Sequence, residues 1–154
     1  MDQIKWCIRQ KKGIELVEPS DNLRDAYLIK AEEALEVLRA TDIRDWQLTT
    51  AYYAVYNSMY ALLMKIGIKC EIHSCTIEFT KRFLKNHFSS EDSELIDKAF
   101  SAKIDSQYYV NRKVPDQNYD LIMKKTPLFM VKCKNMVLEQ KEINEIRNKV
   151  SSLN

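Results

Sequence analysis

The chain has 154 residues, of which 45% are hydrophobic and 30% are charged, and its formal net charge is +2. This size and balance predict one folded domain, exclude a largely disordered chain, and give no electrostatic sign of a nucleic-acid partner. With only two glycines and three prolines, the composition argues against a β-protein with many turns and favours long helices.

Residues 1–18 are predicted to contain one short helix, which runs from Asp2 to Lys11 and ends at Gly13. We treat this segment as an N-terminal arm or short helix that precedes the main helical domain, residues 19–154. Its role does not follow from its sequence.

The first long helix is predicted to start at Ser20 or Asp21, because either side chain can accept a hydrogen bond from a free backbone N–H group. It runs to about Arg39, and its apolar residues recur at the three-to-four spacing of one helix face. These residues are Leu23, Tyr27, Ala31, Ala34, Leu35 and Leu38.

The next helix starts at Asp42 or Asp45 and ends at Gly67, and it carries no charge between Asp45 and Lys65. Its length would suit a membrane span, but its many polar and tyrosine residues would not, so we expect no membrane association. Apolar residues on most sides predict the central helix of the domain. One stripe consists of Trp46, Thr49, Tyr53, Tyr56, Tyr60 and Leu63.

Further helices are predicted downstream. One starts near Ser74, and another starts at Ser89, with acidic residues in its first turn where the helix dipole favours them, and fades near Ser106. Residues 108–120 are predicted to form a polar loop, and Pro127 to lie near the start of a last long helix. The prediction is an all-α, up-and-down bundle of about five helices.

The four cysteines are Cys7, Cys70, Cys75 and Cys133, and none forms a Cys-x-x-Cys pair. A chain of this size does not need disulfides, and no signal-peptide pattern is visible, so we expect free thiols in a cytoplasmic protein. Cys70, His73 and Cys75 are of the right types to bind zinc, but their spacing fits no common zinc module. We predict no metal and no cofactor, and we assign His73 a structural role in its turn.

Arg82 and His87 form one candidate catalytic pair. Arginine could neutralise a phosphate while histidine moves a proton and a ribose 2′-hydroxyl attacks, so the pair would suit metal-independent RNA cleavage. Five residues on a regular helix correspond to about 140° of rotation, so the side chains point apart unless the helix breaks. The alternative is a surface arginine and a helix-end histidine.

A second candidate site mixes cations with aromatic rings. Lys103, Arg112 and Lys113 lie among tyrosines that include Tyr108 and Tyr109. Rings stack on bases while cations hold phosphates, which favours a nucleotide or a single-stranded ligand. The alternative is a solvated loop that its tyrosines hold to the bundle.

The central helix and its turn also carry a family pattern. The sequence A-Y-Y-A-x-Y at Ala51–Tyr56, followed by Ala61–Leu63, Gly67–Ile68 and His73, resembles the HEPN domain family over roughly residues 20–140. The resemblance implies four long helices plus a shorter one, a homodimer, and a minimal nucleotidyltransferase as partner in a toxin–antitoxin pair. It also implies that active members are metal-independent endoribonucleases with an arginine, four to six further residues, and a histidine.

Extending the resemblance from Ala99 and Phe100 places Lys103 at the arginine position and Tyr108 at the histidine position. The spacing of four intervening residues is kept, but neither residue type is. Lysine can hold a phosphate as a point charge, whereas tyrosine, with an ordinary pKa of about 10, is a poor proton shuttle near pH 7. The resemblance thus implies a degenerate ribonuclease motif.

Three functions remain open. The first is a nucleotide-, RNA- or partner-binding module, with binding residues Tyr109, Arg112 and Lys113. The second is an active endoribonuclease toxin, which uses catalytic residues Lys103 and Tyr108 together with Arg112, or else Arg82 and His87. The third is a helical scaffold without a ligand.

Overall fold

The computed structural model describes residues 2–154, and helices make up most of them, so the predicted all-α class is confirmed. The described residues form seven helices rather than about five, together with two short strands. In chain order the elements are α1 Gln3–Arg9, β1 Glu15–Leu16, α2 Asp21–Ala40, α3 Arg44–Ile66, β2 Ile68–Lys69, α4 His73–Phe83, α5 Ser90–Tyr108, α6 Asp116–Asn135 and α7 Gln140–Ser152.

The α3 helix is the centre of the domain, as its sequence predicts. It packs most extensively on α2, then on α5 and α6, and it also contacts α4, α7 and β2. Neighbours on nearly every side bury most of its 23 residues, which explains why its middle carries no charge. No helix within residues 2–154 is long and apolar enough to cross a lipid bilayer.

Helix ends follow local chemistry at several predicted positions. The Ser20 hydroxyl accepts a hydrogen bond from the backbone N–H of Leu23 at the start of α2. Ser89 and Asp92 form a reciprocal capping box at the start of α5. The sequence therefore predicts both helix starts correctly.

Gly67 ends α3 in the left-handed conformation, with φ of 87°. Its backbone N–H bonds back to carbonyl groups of the last helical turn. A Cβ atom at this position would lie 2.3 Å from the Arg147 guanidinium and 2.5 Å from the Val17 carbonyl oxygen. Arg147 donates hydrogen bonds to the carbonyl groups of Val17, Ile66 and Gly67, so α7 closes over this turn.

The predicted start of the last long helix, near Pro127, is wrong. α6 begins at Asp116, directly after Pro115, and Pro127 lies inside it rather than near a helix start. Pro127 has no N–H group, so the carbonyl of Met123 loses its helical partner, which α6 tolerates within a packed bundle. The predicted loop is correspondingly shorter, residues 109–115.

The N-terminal segment packs onto the bundle. Strand β1 pairs antiparallel with β2, with Glu15 opposite Lys69 and Leu16 opposite Ile68, and α1 lies against α4. The boundary proposed at residue 18 stays a prediction.

The expectation of four free thiols is wrong. Cys7 on α1 and Cys75 on α4 form a disulfide, with their Cα atoms 5.7 Å apart. The two residues are 68 positions apart in the chain, so only the packing of α1 on α4 reveals the pair. Cys70 and Cys133 are free and buried, and burial raises the pKa of both thiols.

Removing the disulfide should lower the free energy of unfolding by about 2–5 kcal/mol, because the bond restricts the unfolded chain. The double variant Cys7→Ser, Cys75→Ser tests this by urea denaturation. Dithiothreitol should lower the wild-type urea midpoint and leave that of the double variant unchanged. Equal wild-type midpoints with and without dithiothreitol, or four reactive thiols in the denatured oxidised protein, would contradict the prediction.

Candidate functional site

Three tyrosines of α3 pair their hydroxyl groups with the segment that follows the helix. The pairs are Tyr52 with His73 Nδ1 at 2.8 Å, Tyr56 with Thr76 Oγ1 at 3.4 Å, and Tyr60 with the backbone N–H of Cys70 at 3.1 Å. Burial raises the pKa of Tyr52, Tyr56 and Tyr60, so all three hydroxyls stay protonated near neutral pH. These bonds fix the turn between α3 and α4.

His73 is the first residue of α4 and lies within this tyrosine cluster. Its imidazole stacks on Tyr56, with ring centres 4.0 Å apart, and meets the Tyr53 ring edge-on. Burial lowers the pKa of His73 below its ordinary 6.5, and the positive charge of Lys103 lowers it further, so the ring is neutral at pH 7. Its Nε2 atom makes no hydrogen bond within residues 2–154.

Lys103 projects from α5 into the same cluster and is only 8% exposed. Its Nζ atom lies 5.8 Å from the ring centre of Tyr52, 5.9 Å from that of Tyr53 and 5.4 Å from that of Tyr108. Aromatic faces attract the ammonium group, but no carboxylate in the described part of the chain pairs with it. The structure therefore brings Lys103 and Tyr108 together beside His73, with the cation uncompensated.

An open groove of about 380 Å³ adjoins this cluster, between the start of α3 and the end of α5. Its lining residues are Asp45, Trp46, Thr49, Ser106, Gln107 and Tyr108. Trp46 is 55% exposed and Tyr108 is 67% exposed. Sequence reasoning missed Trp46 as a site residue, because its spacing continues the apolar stripe of α3.

The loop after α5 carries the remaining predicted binding residues. The Arg112 guanidinium stacks 3.6 Å from the ring centre of Tyr109 and lies 3.5 Å from the Asp105 carboxylate. Lys113 is exposed and has no ion-pair partner among residues 2–154. The loop therefore carries one cation that contacts a carboxylate and one that has no ion-pair partner in the described part of the chain.

Arg44, the first residue of α3, fixes the far end of the loop. It donates a 2.7 Å hydrogen bond to the Val114 carbonyl and lies 2.9 Å from the Asp116 carboxylate. Its guanidinium also stacks over the Tyr119 ring, 4.3 Å from the ring centre. These contacts tie the loop to the same end of α3 as the groove.

Arg82 and His87 are held by carboxylates on different elements. Arg82 donates to both carboxylate oxygens of Asp2, at 2.7 and 2.8 Å. The Nε2 atom of His87, which follows α4, lies 2.7 Å from the Glu142 carboxylate on α7. The structure thus gives each residue its own partner, and their joint catalytic role stays a prediction.

The cysteine and histidine candidates for zinc do not converge. Cys75 is used in the disulfide, and Cys70 directs its thiol toward the carbonyl of Ile72. Throughout the described residues, no three His, Cys, Asp or Glu side chains are grouped so that they could hold a metal ion.

Substituting Lys103 by Met should raise the pKa of His73, because loss of the nearby positive charge favours the imidazolium form. NMR titration of the His73 ring measures this change. Burial is the larger cause of the lowered value, so the variant's pKa should remain below 6.5. Lys113→Met is the charge-matched control and should leave His73 unchanged. An unaltered His73 titration in Lys103→Met would show that the two groups do not interact.

Comparison with known proteins shows a similarity that extends over most of the chain. No model of a protein family matches the chain. The protein named "Putative toxin MJ0142" of Methanocaldococcus jannaschii is 24% identical over 136 residues, which cover 86% of this chain and 87% of that protein. The chain is therefore similar, over most of both lengths, to a protein named as a toxin.

Proposed function

We propose that this protein is a toxin-like, HEPN-related module that binds RNA or nucleotides at the cluster around Lys103. The observation that carries the proposal is an almost buried lysine that three tyrosine rings surround and no described carboxylate neutralises. A phosphate group would supply the missing negative charge. The exposed Tyr108 ring next to it would supply stacking surface for a base.

Two further observations support the proposal. The similarity to a protein named as a toxin extends along most of the chain. Lys103 and Tyr108, which stand at the positions of the HEPN arginine and histidine, lie in contact in the folded chain. The sequence pattern and the packing therefore favour the same place on the surface.

A homodimer and a minimal nucleotidyltransferase antitoxin belong to the same proposal. Exposed apolar side chains on two long helices support association with a partner, because such residues gain free energy when covered. They are Leu23, Ile29 and Val37 on α2, and Leu128 and Val131 on α6.

RNA cleavage is a second candidate function, favoured by the neutral imidazole of His73 beside Lys103. His73 Nε2 would take the proton of a ribose 2′-hydroxyl as its oxygen bonds to phosphorus, and Lys103 would stabilise the added negative charge. The bond from phosphorus to the 5′ oxygen would break, and Tyr108 would protonate that oxygen. No metal is required.

Binding of a fluorescein-labelled, 12-nucleotide single-stranded RNA, followed by fluorescence anisotropy in EDTA, tests the proposal. Lys103→Met should weaken binding about tenfold or more, because a charge-assisted hydrogen bond contributes about 1.5–3 kcal/mol. Lys98→Met is the matched control, since Lys98 lies on the same helix but pairs with Glu94. An equal loss in both variants would contradict the proposal, and so would absence of binding to both this RNA and adenosine 5′-monophosphate.

The same mixtures, resolved on a gel, separate binding from cleavage. If the RNA stays intact, the protein is a binding module. If products that end in a 2′,3′-cyclic phosphate appear, the protein is an enzyme. Cleavage that His73→Ala abolishes would assign the reaction to the Lys103 cluster. Cleavage that only Arg82→Ala or His87→Ala abolishes would assign it to that pair instead.

A further inference from the structure

The groove beside the Lys103 cluster has two exposed aromatic side chains in its lining. Trp46 comes from the first turn of α3, and Tyr108 is the last residue of α5. Both rings are more than half exposed, although a folded chain usually covers most of a large aromatic surface. The groove therefore offers two flat apolar surfaces to a ligand.

The groove also contains a carboxylate without a protein partner among the described residues. The Asp45 carboxylate forms no ion pair within residues 2–154. A free carboxylate at a groove favours a ligand that carries N–H donors at its edge.

We propose that this groove is a nucleobase site, in which a base stacks on Trp46 and Tyr108 while its phosphate contacts Lys103. This inference rests on the proposed function and specifies the ligand of the same site. Tyr108 joins the two parts, because it lines the groove and its ring centre lies 5.4 Å from Lys103 Nζ. The volume of about 380 Å³ falls within the usual range of small-ligand sites.

Asp45 gives the site a base preference. A carboxylate accepts hydrogen bonds and cannot donate them near neutral pH, so it favours bases with an exocyclic amino group. Adenine, cytosine and guanine each present such a group, whereas the edge donor of uracil is its N3–H, which lies between two carbonyl oxygens that would repel the carboxylate. The groove should therefore bind adenine nucleotides more tightly than uridine nucleotides.

Tryptophan fluorescence tests the site directly. The chain has two tryptophans, so Trp6→Phe leaves Trp46 as the only one. In that protein, adenosine 5′-monophosphate should quench the fluorescence by stacking, and ribose 5-phosphate should not. Adenosine 5′-monophosphate should bind about fivefold or more tightly than ribose 5-phosphate, the lower end of what one base–aromatic stack contributes.

Two variants assign the contacts by calorimetry. Trp46→Leu should weaken the binding of adenosine 5′-monophosphate about fivefold or more and leave the affinity for ribose 5-phosphate unchanged. Asp45→Asn should bring the affinities for adenosine and uridine 5′-monophosphate close together, because an amide can also donate to uracil. Both residues are exposed, so the melting temperature of each variant should stay near that of the wild type.

The outcomes distinguish this inference from the function on which it rests. Suppose that adenosine 5′-monophosphate and ribose 5-phosphate bind with equal affinity, that both affinities depend on Lys103, and that Trp46→Leu changes neither. The base site is then wrong, and the phosphate site at Lys103 is still supported. If Trp46→Leu abolishes self-association in light scattering and leaves nucleotide affinity unchanged, the groove belongs to a second copy of the chain, which also overturns the inference. If neither nucleotides nor RNA bind, the proposed function fails and the base site fails with it.

Discussion

The tyrosine hydroxyls of α3 constrain the structure around the candidate site. A buried hydroxyl left unpaired costs about 1–3 kcal/mol, so a tyrosine in a central helix must end beside a polar group. The hydroxyls of Tyr52, Tyr56 and Tyr60 meet this requirement in the segment that follows α3. The bonds fix the turn at Gly67 and the start of α4, and they place the His73 imidazole against the tyrosine rings.

The electrostatics of the site follow from this packing. The Nζ atom of Lys103, which α5 carries, lies over the rings of Tyr52 and Tyr53, 5.8 and 5.9 Å from their centres. The rings offset part of the cost of burying a cation but supply no negative charge. Lys103 lowers the pKa of His73, after the larger effect of burial, and no carboxylate in the described part of the chain pairs with its ammonium group. Core packing, imidazole neutrality and the proposed anion binding thus depend on the same residues.

Local features of this chain were predictable from the sequence, and long-range pairings were not. The bounds of α3, its Gly67 end and the Ser89 cap depend on residues within a few positions of each other. The disulfide and the burial of Lys103 depend on how distant elements pack, which spacing does not encode. Pro127 was wrongly predicted to lie near a helix start, because a packed bundle tolerates a missing N–H group inside a helix. Trp46 was assigned to the core because its spacing matches that of the apolar stripe of α3, whereas the first turn of α3 extends beyond the core and leaves Trp46 exposed.

A crystal structure with adenosine 5′-monophosphate bound is the most direct test of the central claim, that Lys103 is an open anion site beside an aromatic groove. We expect a phosphate oxygen within about 2.7–3.2 Å of Lys103 Nζ and the adenine ring in contact with Trp46 and Tyr108. A nucleotide bound instead at the basic groove of Arg82, Lys85 and Lys149 would contradict the claim. So would a Lys103 side chain paired with a protein carboxylate.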